Sequence, residues 1–423
     1  MQGKALPGFR DFYPEDLALR NHIFATWRSV ARRYGFEEYD GPPLEPLELY
    51  TQKSGEEIVQ QLYSFRDKGD REVALRPEMT PTLARMVGAR AQALKKPIRW
   101  FAIPQLFRYE RQQRGRLREH FQLNMDIVGE AGPAADAEVM AAALDIMRAF
   151  GFGPADVRLR ASDRRVVVAK LTHSYGVAAD EMPAVLAALD KWERTPAETE
   201  GHLRDALQAD RSRIGPVLQF VSGLRQGVDE LRGSPAAEPL NECVRRLAAM
   251  GLEPFVEVDF TIVRGLAYYT GIVFELFDTG RSLRAICGGG RYDDLIKHIA
   301  GVDLPCVGFG MGDVVLGELF KERPKSFEAP AQLDAFLVAV SGEDVDPVLK
   351  LAHDLRDRGV AVEYGLRHAP IRKQLELAVA RGAPRAVIVG PDERAAGQVV
   401  VRDLKAGTEE RVAVTQLLSG SLR

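Results

Sequence analysis

The sequence has few cysteines and no long apolar run. Only three of its 423 residues are cysteine, namely Cys243, Cys287 and Cys306, and they form neither a disulfide framework nor a CxxC zinc pattern. No run of about 18 apolar residues occurs, and the N-terminus has no apolar core typical of a signal peptide. The sequence therefore predicts a cytoplasmic protein with no membrane partner, and it argues against collagen, coiled-coil, disordered and secreted mini-protein classes.

Neither sign of charge dominates the sequence. The 57 Lys and Arg residues nearly balance the 60 Asp and Glu residues, which leaves a formal net charge of −3. Without a global basic field, a nucleic-acid partner would have to be bound by local patches. The hydrophobic fraction of 46% is ordinary for a globular protein, and the length predicts two or three domains.

Residues 1–325 combine helical patterns with β-rich runs, the mixture found in an α+β domain. An amphipathic helix is predicted over 15–34, where apolar residues recur at spacings of three and four. Two β-rich runs within 97–129 flank a polar loop, the pattern of a long antiparallel hairpin. Further strands are predicted within 255–288, the first of them over FVEVDFTIV. The segment of about 165–248 is mostly helical and more polar, and is interpreted as a helical insertion.

The pattern changes after a polar, proline-bearing segment at 321–332, which is interpreted as a linker. Apolar strand-like runs then alternate with amphipathic helices. This alternation predicts a small C-terminal α/β domain over 330–423 with a mainly parallel sheet.

Several common catalytic and nucleotide-binding motifs are absent. There is no GxxxxGK[ST] phosphate loop, no HExxH and no GxSxG, so covalent and metalloprotease chemistry are poorly supported. The GFGMG stretch at 308–312 superficially resembles a dinucleotide fingerprint but lacks the GxGxxG spacing. We interpret this stretch instead as small residues at the point where a strand meets a helix.

Arginines are concentrated in the hairpin at 107–122. A solvated surface loop would explain most of them. Arg108 differs because it follows Leu106 and Phe107 in an apolar strand. An arginine that emerges from a rigid sheet needs an anion, and its planar guanidinium suits a phosphate or a carboxylate.

A second arginine, Arg264, lies in the sequence RGLAYYTG, between an apolar run and the paired tyrosines Tyr268 and Tyr269. The tyrosines could equally be core residues with a polar hydroxyl. The three glycines of GGGRYDDL at 288–295 would let a ligand approach the backbone, although a bulged turn would explain them too. Together with Glu78 and Asp126, these arginines indicate a site for a nucleoside triphosphate and an amine-bearing substrate, without a covalent enzyme intermediate.

Taken together, the motifs resemble class II aminoacyl-tRNA synthetases, and specifically the histidyl-tRNA synthetase family, along nearly the whole chain. PGFRDFYPED and the following helix resemble motif 1, the dimer-interface element. LRPEMT resembles the family's LRPEGT, and FRYERQQRGRLREHFQLNMD resembles motif 2. VRGLAYYTGIVFE and CGGGRYDDL resemble the two motifs peculiar to histidine activation. The resemblance implies an antiparallel-sheet catalytic core with a helical insertion, plus a C-terminal α/β anticodon-binding domain.

The resemblance also implies a role for individual residues. The histidine-binding residues would be Glu78, Thr80, Gln122 and Asp126, with Tyr268 and Tyr269 lining the imidazole pocket. The ATP-binding residues would be Arg108, Glu110, Arg116 and Arg264, of which Arg108 and Arg264 would act in catalysis at the α-phosphate. ATP, Mg²⁺, L-histidine and tRNA(His) would be the substrates and ligands of a homodimer. The resemblance assigns no metal ligands.

The sequence departs from the family pattern at four places. Val314 and Val315 occupy the positions of the Glu and Arg of motif 3, whose arginine stacks on adenine. The Phe-His pair after motif 2 is reversed to His120-Phe121, Met79 replaces a glycine, and alanine replaces the aspartate of RGLDYY. Plant organelle-type members look similar here, so we interpret the departures as features of one branch.

Two other functions remain open at this point. The first is the non-catalytic synthetase-like regulatory subunit of ATP phosphoribosyltransferase. Such chains lack the C-terminal domain and activation-site residues, whereas this sequence keeps Arg108 and Arg264. The second is a synthetase of neighbouring specificity, such as prolyl or threonyl, which the RGLAYYTG and GGGRYDDL pair disfavours.

Overall fold

The structure is a computed structural model that divides into two compact units, Met1–Phe327 and Glu328–Arg423. All three cysteines are buried and free. No helix among the described residues is long and apolar enough to span a membrane. The residues that the structure describes are 3, 5–51, 60–110, 114–189, 192, 195–208, 210–224, 227–262, 268–280, 283–323 and 332–420.

The first unit combines strands with many helices. Its described strands are β1 (Glu37–Glu38), β2 (Leu44–Pro46), β3 (Tyr63–Arg66), β4 (Glu72–Leu75), β5 (Ile98–Ala102), β6 (Gln105–Phe107), β7 (Glu119–Val128), β8 (Val157–Asp163), β9 (Val256–Val258), β10 (Ile272–Asp278), β11 (Cys287–Arg291) and β12 (Cys306–Gly312). Its described helices are α1 (Pro14–Arg33), α2 (Glu48–Thr51), α3 (Thr80–Arg90), α4 (Pro133–Ala149), α5 (Arg164–Tyr175), α6 (Met182–Leu189), α7 (Pro196–Ala206), α8 (Arg211–Gly223), α9 (Val228–Arg232), α10 (Glu238–Ala249), α11 (Leu295–Ala300) and α12 (Asp313–Glu322).

Nine of the described strands form one large sheet in the order β1-β5-β7-β12-β11-β10-β8-β9, with β6 paired to β7. The pairs β1–β5 and β8–β9 are parallel and the others are antiparallel. The predicted antiparallel core is therefore confirmed, as are the long hairpin (β5 to β7) and the N-terminal helix. A smaller sheet in the order β2-β4-β3 lies in the same unit.

The large sheet has one apolar face and one polar face, because side chains alternate along each strand. On β7, Leu123, Met125 and Ile127 are buried in the main core, which also contains most of α4. The intervening residues therefore point to the opposite face, where the polar side chains of β7 are found.

One predicted strand is much shorter than expected. The run FVEVDFTIV was expected to be extended, but β9 ends at Val258. The buried Asp259 accepts hydrogen bonds from the backbone N–H of Thr261 (3.0 Å) and from its hydroxyl (2.6 Å), which turns the chain away from the sheet. The glycines of GGGRYDDL do not form a bulged turn, because β11 is a central strand of the sheet.

The second unit has its own sheet and its own apolar core. Its elements are β13 (Ala335–Ala339), α13 (Val345–Arg356), β14 (Val362–Tyr364), α14 (Ile371–Ala380), β15 (Arg385–Val389), α15 (Pro391–Ala396), β16 (Gln398–Asp403), β17 (Glu409–Ala413) and α16 (Val414–Leu418).

The prediction of a mainly parallel sheet in this unit is only half right. Strand β13 pairs in parallel with β14 and β15, but the pairs β15–β16 and β16–β17 are antiparallel. A parallel crossover needs a dozen or more residues. The connection from Val389 to Gln398 is shorter than that, so β16 returns antiparallel to β15.

Candidate active site

The polar face of the large sheet is shaped by alternating glycines on β12. Gly308 lies opposite Asp126 in the ladder, and a Cβ at Gly308 would collide with the Asp126 carboxylate. A Cβ at Gly310 would lie 2.7 Å from the Gln122 side chain. The GFGMG stretch is therefore the end of a strand that leads into a helix, as the sequence predicted. Its glycines leave room for the side chains of Asp126 and Gln122.

This steric argument gives a direct test at Gly308. The sequence resemblance implies that Asp126 binds histidine. On that basis we expect Gly308→Ala to raise the histidine KM roughly tenfold, because overpacking costs about 1–3 kcal/mol and would displace the Asp126 carboxylate. Gly317→Ala in α12 is the matched control, since a Cβ there has no neighbour within 4 Å and Gly317 is not part of the lining of the nearby cavity. The measurement is histidine-dependent ATP–pyrophosphate exchange. Equal KM values for the two variants would contradict the assignment of this face to histidine.

Asp126 lies at one end of the polar face, next to Tyr292. The Tyr292 hydroxyl donates a hydrogen bond to the Asp126 carboxylate, and both residues are buried. Burial raises the pKa of Asp126 to about 7, although the hydrogen bond from Tyr292 opposes this shift. Its carboxylate is therefore balanced between the charged and neutral forms near neutral pH, and a ligand N–H would favour the charged form.

Glu78 and Tyr268 lie in the same region. The Tyr268 hydroxyl donates to Glu78 Oε2 at 2.9 Å, and Thr80 at the start of α3 also hydrogen-bonds to Tyr268. The ring of Tyr268 contacts Tyr269 at 5.2 Å and Tyr292 at 5.9 Å between centroids. The three tyrosines belong to, or pack against, a small core formed with α3 and α11 that covers this end of the polar face.

A cavity of about 270 Å³ occupies the other end of the face. Its lining includes Arg108, Glu110, Arg116, His120 and Gln122, together with glycines of β11 and β12. From His120 to Asp126 the strand spans six residues, or about 20 Å. The face is thus long enough for a nucleotide and an amino acid placed end to end.

The cavity arginines are held in place by the protein. Arg108 donates from Nε to the carbonyl of Pro77 at 2.9 Å, and Arg116 forms an ion pair with the buried Glu110. Burial, followed by the charges of Arg108 and other arginines, lowers the pKa of His120 to about 3. The imidazole of His120 is therefore neutral, and the arginines remain the cations of the cavity.

The reversed His120-Phe121 pair has a structural explanation. Because side chains alternate on β7, His120 faces the cavity and Phe121 faces away from it. Phe121 contacts the rings of Phe12 and Phe24, and the guanidinium of Arg20 lies 5.0 Å from its centroid. The order of the two residues therefore places the imidazole, and not the phenyl ring, at the cavity.

An ion-pair network supports this part of β7 from outside the cavity. Arg10 donates to Glu119 at 2.7 Å and to Asp313 at 2.9 Å. Asp313, the first residue of α12, also accepts the backbone N–H of Phe121 at 2.9 Å. The network joins the N-terminal segment, β7 and α12.

Val314 and Val315 both line the cavity, so α12 presents apolar side chains where the family resemblance predicts Glu and Arg. Arg114 lies outside the cavity lining and bonds instead to Glu318 (3.2 Å) and Glu322 on the same helix. Neither Val314 nor Val315 can bind a phosphate or stack a cation on adenine.

The structure brings most of the predicted site residues onto one face of one sheet. Glu78, Thr80, Asp126, Tyr268 and Tyr269 lie towards one end, and the cavity residues lie towards the other. Arg264 lies outside the described residues, as does Arg111. Sequence reasoning did not single out Tyr292 or Tyr39. The aromatic residue two positions after the glycines of GGGRYDDL was a usable signal for Tyr292, and no motif marked Tyr39.

Comparisons with known proteins agree with this geometry. Residues 8–312 match the family model described as histidyl-tRNA synthetase, and residues 334–420 match an anticodon binding domain. The histidine–tRNA ligase of Opitutus terrae is 47% identical over 98% of this chain and 97% of its own. The chloroplastic/mitochondrial histidine–tRNA ligase of Arabidopsis thaliana is 39% identical over 97% of this chain and 85% of its own.

Among solved structures, histidyl-tRNA synthetase from Nostoc sp. PCC 7120 has the same fold. It superposes with a TM-score of 0.81 at 23% identity, over 99% of this chain and 98% of the other. The fold and the two matched domains define an aminoacyl-tRNA ligase. Within that class, the chain belongs to the histidyl-tRNA synthetase family.

The same findings decide between the alternatives left open by the sequence. The family model and the full-length relatives support histidine–tRNA ligation over the regulatory subunit of ATP phosphoribosyltransferase. Use of ATP and recognition of histidine and tRNA follow from the family. The predictions of fold, family and enzyme class are confirmed.

Proposed function

We propose that the first unit activates L-histidine with ATP along the polar face of its large sheet and then transfers the histidyl group to the 3′-terminal adenosine of tRNA(His). The main support is that groups suited to bind an amino acid and groups suited to bind phosphates lie at opposite ends of one face. Asp126 and Glu78 provide carboxylates at one end. Arg108 and Arg116 provide guanidinium groups at the other.

In this proposal the histidine carboxylate attacks the α-phosphorus of ATP in line and pyrophosphate leaves. Glu78 and Thr80 bind the ammonium group, and Gln122 orients the amino acid between the two ends. Arg108 contacts the α-phosphate and the attacking carboxylate, and Arg116 reaches the outer phosphates. Preorganised cations of this kind stabilise the charge that develops in the transition state.

Arg264 would bind the α-phosphate from the other side. The described residues that flank it support this role. Ile262 before it is buried in the small core, and Tyr268 after it hydrogen-bonds to Glu78. On the upstream side, Asp259 is held by Arg160 at 3.2 Å, so the chain enters this segment from a fixed position.

We further propose that Mg²⁺ accompanies the nucleotide. No group of three or more acidic, His or Cys side chains among the described residues is arranged to hold a metal ion. Glu110 is the acidic side chain in the lining of the cavity, and magnesium commonly uses one or two carboxylates plus substrate phosphates. When bound, the ion would neutralise charge on the outer phosphates.

Histidine-dependent ATP–pyrophosphate exchange tests the proposed function. The purified protein should exchange pyrophosphate when histidine is present and should show no exchange with proline or threonine. Absence of a histidine-dependent signal, or a larger signal with another amino acid, would refute histidine activation by this site.

We expect the protein to be a homodimer. Strand β2 is at the edge of the small sheet, and both Leu44 on β2 and Phe65 on β3 are exposed. An exposed apolar edge needs to be covered. Sedimentation at micromolar concentration should show a dimer that Leu44→Asp weakens, whereas Leu366→Asp, at an exposed leucine of the second unit, should not. A monomeric wild-type protein would contradict this proposal.

The second unit is proposed to bind the anticodon stem of tRNA(His). Its basic residues Arg367, Arg372 and Lys373 lie within seven positions of one another, at and before the start of α14. A patch of this kind can bind RNA phosphates on a protein without net positive charge.

The three free cysteines support a reducing compartment, and we place the enzyme in the cytoplasm on that basis.

A further inference from the structure

Tyr39 is a tyrosine on the polar face that no motif marks. It directly follows β1, and its backbone N–H donates to the carbonyl of Phe101 at 2.9 Å. Glu37 is opposite Trp100 in the parallel ladder, so Tyr39, two residues later, is on the same face as Trp100. The rings of Tyr39 and Trp100 are stacked, with centroids 5.3 Å apart.

Trp100 connects Tyr39 to the histidine end of the face. Trp100 is directly opposite Asp126 in the β5–β7 ladder. Tyr39 and Trp100 both pack against the small core that contains Tyr268, Tyr269 and Tyr292. Tyr39 therefore belongs to the same aromatic wall as the tyrosines that the sequence motifs identify.

The hydroxyl groups of this wall differ in what they bond. The Tyr268 hydroxyl donates a hydrogen bond to Glu78, and the Tyr292 hydroxyl donates one to Asp126. The Tyr39 hydroxyl oxygen is buried and has no hydrogen-bond partner among the described residues. A buried hydroxyl without a partner is unfavourable, and a ligand that accepts a hydrogen bond from it would remove this cost.

The charges around Tyr39 keep its hydroxyl protonated. Burial raises its pKa, and the neighbouring carboxylates of Asp126 and Asp40 raise it further. Arg76 lowers the pKa of Tyr39, and its effect is the smallest of the four. Arg76 is itself bonded to Asp40 at 2.8 Å and to the carbonyl of Gly41 at 2.7 Å. Tyr39 is therefore a hydrogen-bond donor throughout the physiological pH range.

We propose that Tyr39 is a specificity-determining residue of the imidazole pocket, and that its hydroxyl donates to the unprotonated ring nitrogen of the substrate histidine while the Asp126 carboxylate accepts the ring N–H. A neutral imidazole has one donor nitrogen and one acceptor nitrogen. The carboxylate of Asp126 supplies the acceptor, and Tyr39 has the donor that Tyr268 and Tyr292 have already committed elsewhere. The inference rests on the proposed histidine activation by this site.

The test compares Tyr39→Phe with Tyr34→Phe in the full-length protein. Tyr34 is a matched control because its hydroxyl donates to Asp145 at 2.7 Å and its side chain packs against the main core, on the opposite face of the large sheet. We expect Tyr39→Phe to raise the histidine KM roughly three- to tenfold, the range for one lost hydrogen bond, with the ATP KM unchanged. Its melting temperature should be equal to or above that of the wild type. Tyr34→Phe should lower the melting temperature and leave both KM values unchanged.

A histidine analogue with pyrrole in place of imidazole gives a second measurement, because it compares two substrates on the same variant. The analogue keeps a ring N–H and lacks the acceptor nitrogen. The wild type should prefer histidine over the analogue several-fold more strongly than Tyr39→Phe does. The preference of Tyr34→Phe should equal that of the wild type.

Three outcomes would overturn the inference. They are a histidine KM of Tyr39→Phe within twofold of wild type, equal increases in the KM values of histidine and ATP, and an unchanged preference between histidine and the analogue. The wild-type protein separates this failure from failure of the proposed function. Exchange by the wild type with histidine, together with any of the three outcomes, refutes the role of Tyr39 alone, whereas no exchange by the wild type refutes histidine activation itself.

Discussion

Replacing Arg264 with alanine is expected to slow adenylate formation roughly a hundredfold or more, with only a modest change in the histidine KM. The reason is that a guanidinium at the α-phosphate binds most strongly when negative charge shifts between the attacking carboxylate and the phosphate. The flanking residues Ile262 and Tyr269 are buried in the small core, so the chain enters and leaves this segment beside the proposed histidine end of the polar face. Dimerisation and melting temperature should be nearly unchanged.

A lysine variant separates the effect of the planar guanidinium from the effect of its positive charge. Arg264→Lys keeps the positive charge but loses the planar fork, so it should also be impaired. Arg245→Ala is the matched control, since Arg245 forms an exposed ion pair with Glu238 at 2.9 Å in α10, and such pairs contribute little. Pre-steady-state measurement of adenylate formation is the assay. A rate within about threefold of wild type for Arg264→Ala, or a change confined to KM, would refute the role.

Deleting residues 328–423 is expected to reduce tRNA charging by roughly a hundredfold while histidine-dependent pyrophosphate exchange stays within a few-fold of wild type. The second unit has separate apolar cores built from its own strands and helices. All of the proposed histidine- and ATP-binding residues belong to the first unit. The deletion should therefore remove contacts to the tRNA without altering the polar face.

Point variants within the second unit refine this test. A triple variant, Arg367→Ala, Arg372→Ala and Lys373→Ala, should raise the KM for tRNA and weaken its dependence on salt, because phosphate contacts release counterions. Lys350→Ala is the control, since Lys350 is exposed and pairs with Asp354 one turn later on α13. Equal loss of exchange and charging in the deletion variant would refute the division of labour between the units.

Local patterns in the sequence were sufficient for most of the secondary structure. The spacing of apolar residues predicted α1, whose first turn has Glu15 and Asp16 and whose last turn has Arg32 and Arg33. Alternation and turn residues predicted the β5–β7 hairpin. The exceptions were set by non-local interactions. Asp259 shortens β9, and the glycines of β11 are extended because strands on both sides pair with them.

By itself the sequence determined the family and the two-part organisation, and it suggested most of the candidate site residues, because these depend on residue types and their spacing within short motifs. Only the tertiary structure decided which side chains share one face and what each is bonded to. Asp126 and Gly308 are opposite each other across a ladder, and Tyr39 reaches the site through a parallel pairing with β5. Such contacts join residues far apart in the chain. Strand register and burial decide them, and a local pattern contains neither.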